Sequence, residues 1–195
     1  MNATPAYRMP AEWEPHQATW LVWPHNEEDW PGKFETIPWA FVEMIRKIAP
    51  GEKIRIIAQN QKHEIAITNI LKLAHIPLDQ IEVFHVKTDR GWTRDTGPIF
   101  VHNDKNNQSI IKFQFNAWAK YSNWEHDNLI PTYCAEWLEC PMIHSKYQNR
   151  DIVLEGGALG EAGGMPLGDL PGPGDAGAQA EIAAIGVGVE GHLIG

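Results

Sequence analysis

The sequence predicts an α/β fold, a layered chain of short buried strands alternating with amphipathic helices. Three observations carry this. Thr19 to Trp23, Lys53 to Ala58 and Ile81 to Val86 are short apolar, β-branched or aromatic runs bounded by turn residues. Between them, Phe41, Met44, Ile45 and Ile48, then Ile67, Ile70, Leu71 and Ala74, recur at the helical period and would face a sheet. Acids and tryptophans fall after the strands, where repeated βαβ-like units bring strand ends to one crevice.

The first strand is expected to be a central one, ended by Pro24 and followed by the acidic loop His25-Asn26-Glu27-Glu28-Asp29. Trp13, Trp20, Trp23 and Trp30 surround it. Such density usually means core packing, although indole faces also suit a pocket for a cation. A helix follows from Thr36 to Ala49, with Thr36 as its cap, Pro38 in its first turn and Pro50-Gly51 as its stop. Then come a strand over Lys53–Ala58, a helix over His63–Ala74, and a buried strand over Ile81–Val86.

That strand enters Asp89-Arg90-Gly91-Trp92-Thr93-Arg94-Asp95-Thr96-Gly97-Pro98, and a second buried run, Ile99 to Val101, leaves it. A charged loop joining two buried strands must lie at a strand end, where its backbone reaches water or a ligand. The plain alternative is an Arg–Asp-laced loop whose charges pair with one another. A hairpin follows, with arms at Gly97–Val101 and Ser109–Phe115 and a polar turn around Asp104-Lys105-Asn106-Asn107. Beyond the aromatic loop containing Trp118, Tyr121 and Trp124, a helix is expected over Asp127–Glu139. Short strands then lie near Met142-Ile143 and over Asp151–Leu154. The last ends in Glu155-Gly156-Gly157, an acid placed where the backbone can turn sharply or approach a ligand closely. Its plain alternative is a turn with an exposed Glu155.

From Gly160 the composition changes. All nine tryptophans lie before it, and residues 160–195 contain no Phe, Tyr, Lys or Arg. Such a stretch has little side-chain area to offset its ordering entropy, so residues 160–195 are expected to be disordered and separate from a domain spanning 1–159.

Composition narrows function. With 43% apolar and 21% charged residues, the chain is ordinary globular material. A formal charge of −9 without a Lys/Arg cluster argues against nucleic acid and fits a cationic small molecule. The N-terminus lacks a signal-peptide core and no apolar run spans a membrane, so a cytoplasmic protein is expected. Cys134 and Cys140, the only two cysteines, have no metal-ligand spacing and read as free thiols on and just after a helix. The histidines show no His-x-x-x-His spacing for a metal hydrolase, and no Gly-rich nucleotide loop follows a strand. The acids and tryptophans at strand ends, namely Trp92 and Asp95, Glu155, and the acidic loop after Trp23, suit a guanidinium: a carboxylate offers it two parallel hydrogen bonds and an indole face attracts a planar cation.

Over residues 9–159 the chain resembles the agmatine deiminase and bacterial peptidylarginine deiminase family of guanidino-group-modifying enzymes. The resemblance rests on Met9-Pro10-Ala11-Glu12-Trp13-Glu14-Pro15-His16, Trp23-Pro24-His25, Trp92-Thr93-Arg94-Asp95-Thr96-Gly97-Pro98, Phe115-Asn116-Ala117-Trp118 and Leu154-Glu155-Gly156-Gly157, in order. It implies a pentein fold, a five-bladed α/β propeller of ββαβ units, of which this stretch would form about two blades. It also implies a hydrolase of guanidinium C–N bonds that converts agmatine to N-carbamoylputrescine and ammonia, in putrescine biosynthesis, without a cofactor. In such enzymes a cysteine thiolate attacks the guanidinium carbon, and a histidine serves as acid and base. By motif, Asp95 would grip guanidinium nitrogens, Trp92 would line the pocket and Glu155 would contact substrate.

The family's His-x-Asp and nucleophilic cysteine motifs have no match here. Gly191-His192-Leu193-Ile194 puts Ile194 where an Asp is required, and neither Cys134 nor Cys140 fits the nucleophile's motif. No catalytic residue is therefore assigned. Two readings stay open: a deiminase whose tail is a frame change or truncation, or a non-catalytic fragment that binds a ligand or partner. Agmatine and peptidyl arginine both remain as substrates, and exposed blade edges would invite self-association.

Overall fold

The computed structural model describes residues 7–11 and 13–159. The predicted tail, including the Gly191–Ile194 motif, lies outside the described residues. The strands are β1 (Tyr7–Arg8), β2 (Ala18–Val22), β3 (Lys53–Ala58), β4 (Ile81–His85), β5 (Ile99–Asn103), β6 (Gln108–Lys112), β7 (Met142–His144), β8 (Lys146–Tyr147) and β9 (Arg150–Asp151). The helices are α1 (Ile37–Ile48), α2 (Gln61–Leu73), the single turn α3 (Thr93–Thr96) and α4 (Ile130–Trp137).

Two sheets organise these elements. A parallel sheet has the order β2-β3-β4, with Trp20 opposite Arg55 and Ile56 opposite Val83. A mixed sheet has the order β1-β5-β6-β7: β5 and β6 form the expected hairpin, and β7 pairs parallel to β6 after the crossover through α4. The two crossovers of the parallel sheet advance in the same direction, so α1 and α2 cover the same face. There Leu21, Trp23, Ile54 and Ile56 pack with Phe41, Val42, Ile45, Ile67 and Leu71. The alternate side chains Trp20, Val22 and Ile57 face a second core built from Phe100, Ile110, Ile130 and Cys134. A strand buried on both faces reads as a continuous apolar run, which is why β2 is so legible.

The sheet order corrects the placement of β2, which is an edge of the parallel sheet rather than central. It is nonetheless wholly buried, in part because Thr93 from the following loop caps its end: the Val22 N–H donates to Thr93 Oγ1 at 2.9 Å. Conversely β4, expected to be buried, is only half-buried. Thr36 stands at the N-cap of α1 but does not cap it; its hydroxyl donates to the Lys33 carbonyl. The side-chain cap appears instead on α2, which starts earlier than its apolar pattern predicts because Asn60 accepts the His63 N–H. The Asp127–Glu139 helix is a 3-10 turn, Asp127–Leu129, leading into α4. Among the described residues no helix is long and apolar enough to cross a membrane.

Candidate functional site

The loops after β2 and β4 leave the same end of the parallel sheet and are stitched together there. Asn26 donates to the Asp89 carbonyl at 3.0 Å, and His25 Nε2 lies 3.1 Å from the Thr88 carbonyl. The charged loop reaches outside itself for partners. Arg90, 5% exposed, meets Asp29 at 2.8 Å and Glu28 at 3.1 Å in the acidic loop after Trp23. Asp89 accepts both the backbone N–H of His126 and a contact from its Nδ1 at 2.9 Å.

A buried carboxylate anchors the loop from beneath. Asp127, fully buried, accepts the N–H groups of Asp89 and Arg90 at 2.7 and 3.0 Å. Burial pushes its pKa up to about 7 against the opposing pull of those hydrogen bonds, and the Asp89 and Asp29 charges push the same way as burial. Nothing in the sequence marked Asp127 beyond its position at a helix start. Its role depends on a loop 37 residues away.

Within the loop the chain coils into α3, and this turn places Asp95. The last strand region brings Glu155-Gly156-Gly157 against it. A Cβ on Gly156 would overlap the Arg94 carbonyl oxygen, and one on Gly157 would sit 2.5 Å from Asp95 Oδ1. The glycines are therefore needed for close approach rather than for a left-handed backbone. This contact lets the Gly157 N–H donate to the Asp95 carboxylate and brings Glu155 near it. Burial raises the Asp95 pKa to about 6; the charge of Glu155 adds to the rise, while the Gly157 N–H and Arg94 oppose it. Two coupled acids in a half-buried setting are a receptor for a cation. Asp95 also borders a small recess lined by Thr96, Phe113, Phe115 and Leu154.

Trp92 opens α3, where its carbonyl accepts the N–H groups of Asp95 and Thr96. Its indole belongs to an aromatic group, with Trp118 at 5.3 Å and Tyr121 at 5.1 Å between ring centroids. The Arg90 guanidinium lies over both Trp92 and Tyr121, at 5.2 and 5.1 Å from the ring centroids. Trp118 stands on a backbone segment with three consecutive positive φ values, 49° at Ala117, 56° at Trp118 and 54° at Ala119.

All three predicted binding residues thus fall in one neighbourhood: Trp92 and Asp95 share a turn, and Glu155 is carried to it by the double glycine. Sequence reasoning missed the members of its support other than Arg90 and the acidic loop, namely Asp127, Asn123 and Tyr121. Neither cysteine joins the site. Cys134 is fully buried, which pushes its thiol far above the usual range. Cys140 lies near Gln108, at the start of β6, whereas Asp95 is at the other end of that strand, about 13 Å away at the ordinary rise per residue. Among the described residues no group of three or more His, Cys, Asp or Glu could hold a metal ion.

Comparison with known proteins points to one family. The Porphyromonas-type peptidyl-arginine deiminase family matches residues 8–164. An agmatine deiminase from Pseudomonas aeruginosa (strain LESB58) is 33% identical over 158 residues, covering 78% of this chain and 40% of that protein. One from Stutzerimonas stutzeri (strain A1501) is 30% identical over 167 residues, covering 82% and 43%. The chain thus spans about two fifths of the length of these relatives. Among solved structures, the agmatine deiminase of Enterococcus faecalis is similar with a TM-score of 0.67 and 26% identity, over 80% of this chain and 41% of that one. The C. jejuni agmatine deiminase, with a TM-score of 0.64 and 21% identity over 84% and 45%, supports the fold alone.

Proposed function

Because this chain belongs to the Porphyromonas-type peptidyl-arginine deiminase family and carries its pentein-type α/β fold, we propose that it binds a guanidinium group between Asp95 and Glu155, as the substrate-gripping part of an agmatine deiminase-like hydrolase. The observation that carries this reading is the contact of Gly156-Gly157 with Arg94-Asp95, which sets two acids near each other on the turn that Trp92 opens. Asp95 would accept guanidinium N–H bonds, Glu155 would supply the second charge, and Trp92 would flank the planar cation. An arriving cation stabilises the ionised form of Asp95, so binding draws the elevated pKa back down.

Agmatine is favoured over peptidyl arginine because the relatives with about a third of their residues identical are agmatine deiminases. The full reaction would release ammonia and leave N-carbamoylputrescine. It requires a thiolate at the guanidinium carbon, and neither of the chain's two cysteines stands at the site. The expected outcome for the purified 195-residue chain is therefore agmatine binding without ammonia release. Calorimetric titration with agmatine checks this, with Asp95→Asn expected to weaken binding by at least about tenfold, one charge-assisted contact's worth. Unaltered affinity in that variant, or turnover lost on Cys140→Ser, would overturn the assignment. β4 and β7 are edge strands that are only half-buried, and self-association through them follows from the same reading. Sedimentation velocity should show a concentration-dependent distribution, and a single sharp monomer would refute it.

A further inference from the structure

Arg90 is itself a guanidinium held by carboxylates and aromatic rings, yet it is part of the chain and buried. Its side chain is fixed from every side. Nη1 donates to Asp29 at 2.8 Å, Nε and Nη2 donate to Asn123 Oδ1 at 3.2 and 2.9 Å, and Nη2 reaches Glu28 at 3.1 Å. One planar fork contacting three partners cannot rotate without breaking several bonds together. Its backbone is fixed as well, through Asp127, and the next N–H, of Gly91, lies 3.3 Å from Asp29 Oδ2.

We infer that Arg90 is a positioning residue that sets the orientation of Trp92, and through it the turn carrying Asp95; this rests on the proposed binding roles of Trp92 and Asp95. The link between Arg90 and Trp92 is Gly91, around which there is open space, so no side chain there steers the chain. What fixes the indole is lateral contact: the Arg90 guanidinium and the rings of Tyr121 and Trp118. The Trp92 carbonyl in turn receives the Asp95 N–H at 3.0 Å, so backbone movement at Trp92 passes directly to Asp95. The acidic loop after β2 thus acts on the site without reaching a ligand itself, since Asp29 and Glu28 are engaged by Arg90. Lysine cannot substitute: it brings one charge without the plane that lies over two rings and satisfies Asp29 and Asn123 at once.

The test uses the 195-residue chain labelled with 5-fluorotryptophan and observed by fluorine NMR. Of the nine tryptophan resonances, that of Trp92 is identified as the one lost in Trp92→Phe. In Arg90→Lys and Arg90→Ala the Trp92 resonance is expected to move and broaden, while that of Trp20, which packs with Phe84 and Trp137, stays in place. Ethylguanidinium should return it to the wild-type position in Arg90→Ala, and ethylammonium should not. If Arg90→Ala does not fold, Arg90→Lys and Asn123→Ala decide the matter, since both keep a cation beside Asp29. A Trp92 resonance unmoved in Arg90→Lys, or equal rescue by ethylammonium, would overturn the inference. Agmatine affinity should fall at least tenfold in Arg90→Lys. Failure of the wild-type chain to bind agmatine would sink the proposed function instead, leaving the fluorine spectrum to judge Arg90.

Discussion

Asp95 is a destabilising residue in its own fold. A carboxyl whose folded pKa of about 6 exceeds the ordinary value of 3.8 binds its proton more tightly when folded than when unfolded. Its unfavourable contribution therefore grows as pH rises from about 4 to about 6 and is complete above that. Asp95→Asn should raise stability at pH 7.5 by on the order of 1 kcal/mol, solvent screening of the half-buried carboxylate reducing the full linkage value, while weakening guanidinium binding, as strain retained for function predicts. Chemical denaturation at pH 7.5 and pH 4 checks this, the gain being confined to the higher pH. A second residue-scale feature is Ala119, an exposed alanine with φ of 54°. Ala119→Gly removes the left-handed penalty without losing buried area, and is expected to stabilise by about 0.5–1 kcal/mol in thermal melts. Ala117 has φ of 49° but is fully buried, so the same change there would forfeit packing. Trp92, Asp95 and Glu155 stood out in the sequence because their types suit the proposed guanidinium. Asp127 was not, since a lone aspartate before a helix is ordinarily a solvated first-turn acid.

At the scale of elements, the decisive contact joins α3 to the 3-10 turn Gly156–Ala158. Its two glycines should respond differently. Gly156→Ala drives a methyl into the Arg94 carbonyl, a backbone atom that cannot swing aside, so a loss on the order of 2–4 kcal/mol is expected. Gly157→Ala meets a side-chain oxygen, Asp95 Oδ1, which can rotate away. It should cost less stability but more agmatine affinity. Equilibrium unfolding beside calorimetric titration separates the two, and equal effects on both measures would contradict the geometry. The sequence announces the glycines as a turn, but not what they approach: α3 is about 60 residues earlier in the chain. The hairpin of β5 and β6 was readable because its signal is local, a polar turn between apolar runs. The edge position of β2 was not, because loop residue Thr93 and the second core bury it as a central strand would be.

Across the whole molecule, two raised acids dominate the pH response. Asp127, with a pKa of about 7, adds to Asp95, so stability should increase as pH falls from about 8 to about 5. His63 opposes this modestly: burial and the nearby His25 lower its pKa, which costs stability as the pH falls through the ordinary histidine range. Below about pH 4.5 the sign reverses, because Glu82 and Glu14 have pKa values lowered by Lys53 and Arg8, and protonation forfeits those partners. Thermal melts from pH 3 to 9 should therefore peak near pH 5. A maximum above pH 7 would show that the buried acids carry less cost than their surroundings imply.

The sequence alone determined the α/β class, the positions of most strands and helices, and the family. These depend on local pattern and residue type, which the chain carries at each position. Tertiary structure alone decided which charges meet which. Arg90 pairs with Asp29 and Glu28 rather than with its neighbours, Asp127 supports a loop far from it, and Gly156-Gly157 brings Glu155 to Asp95. The reason is physical: the parallel sheet gathers loops distant in sequence at one end, and burial there makes the pairing of charges selective. Neither the gathering nor the burial is written at any single position.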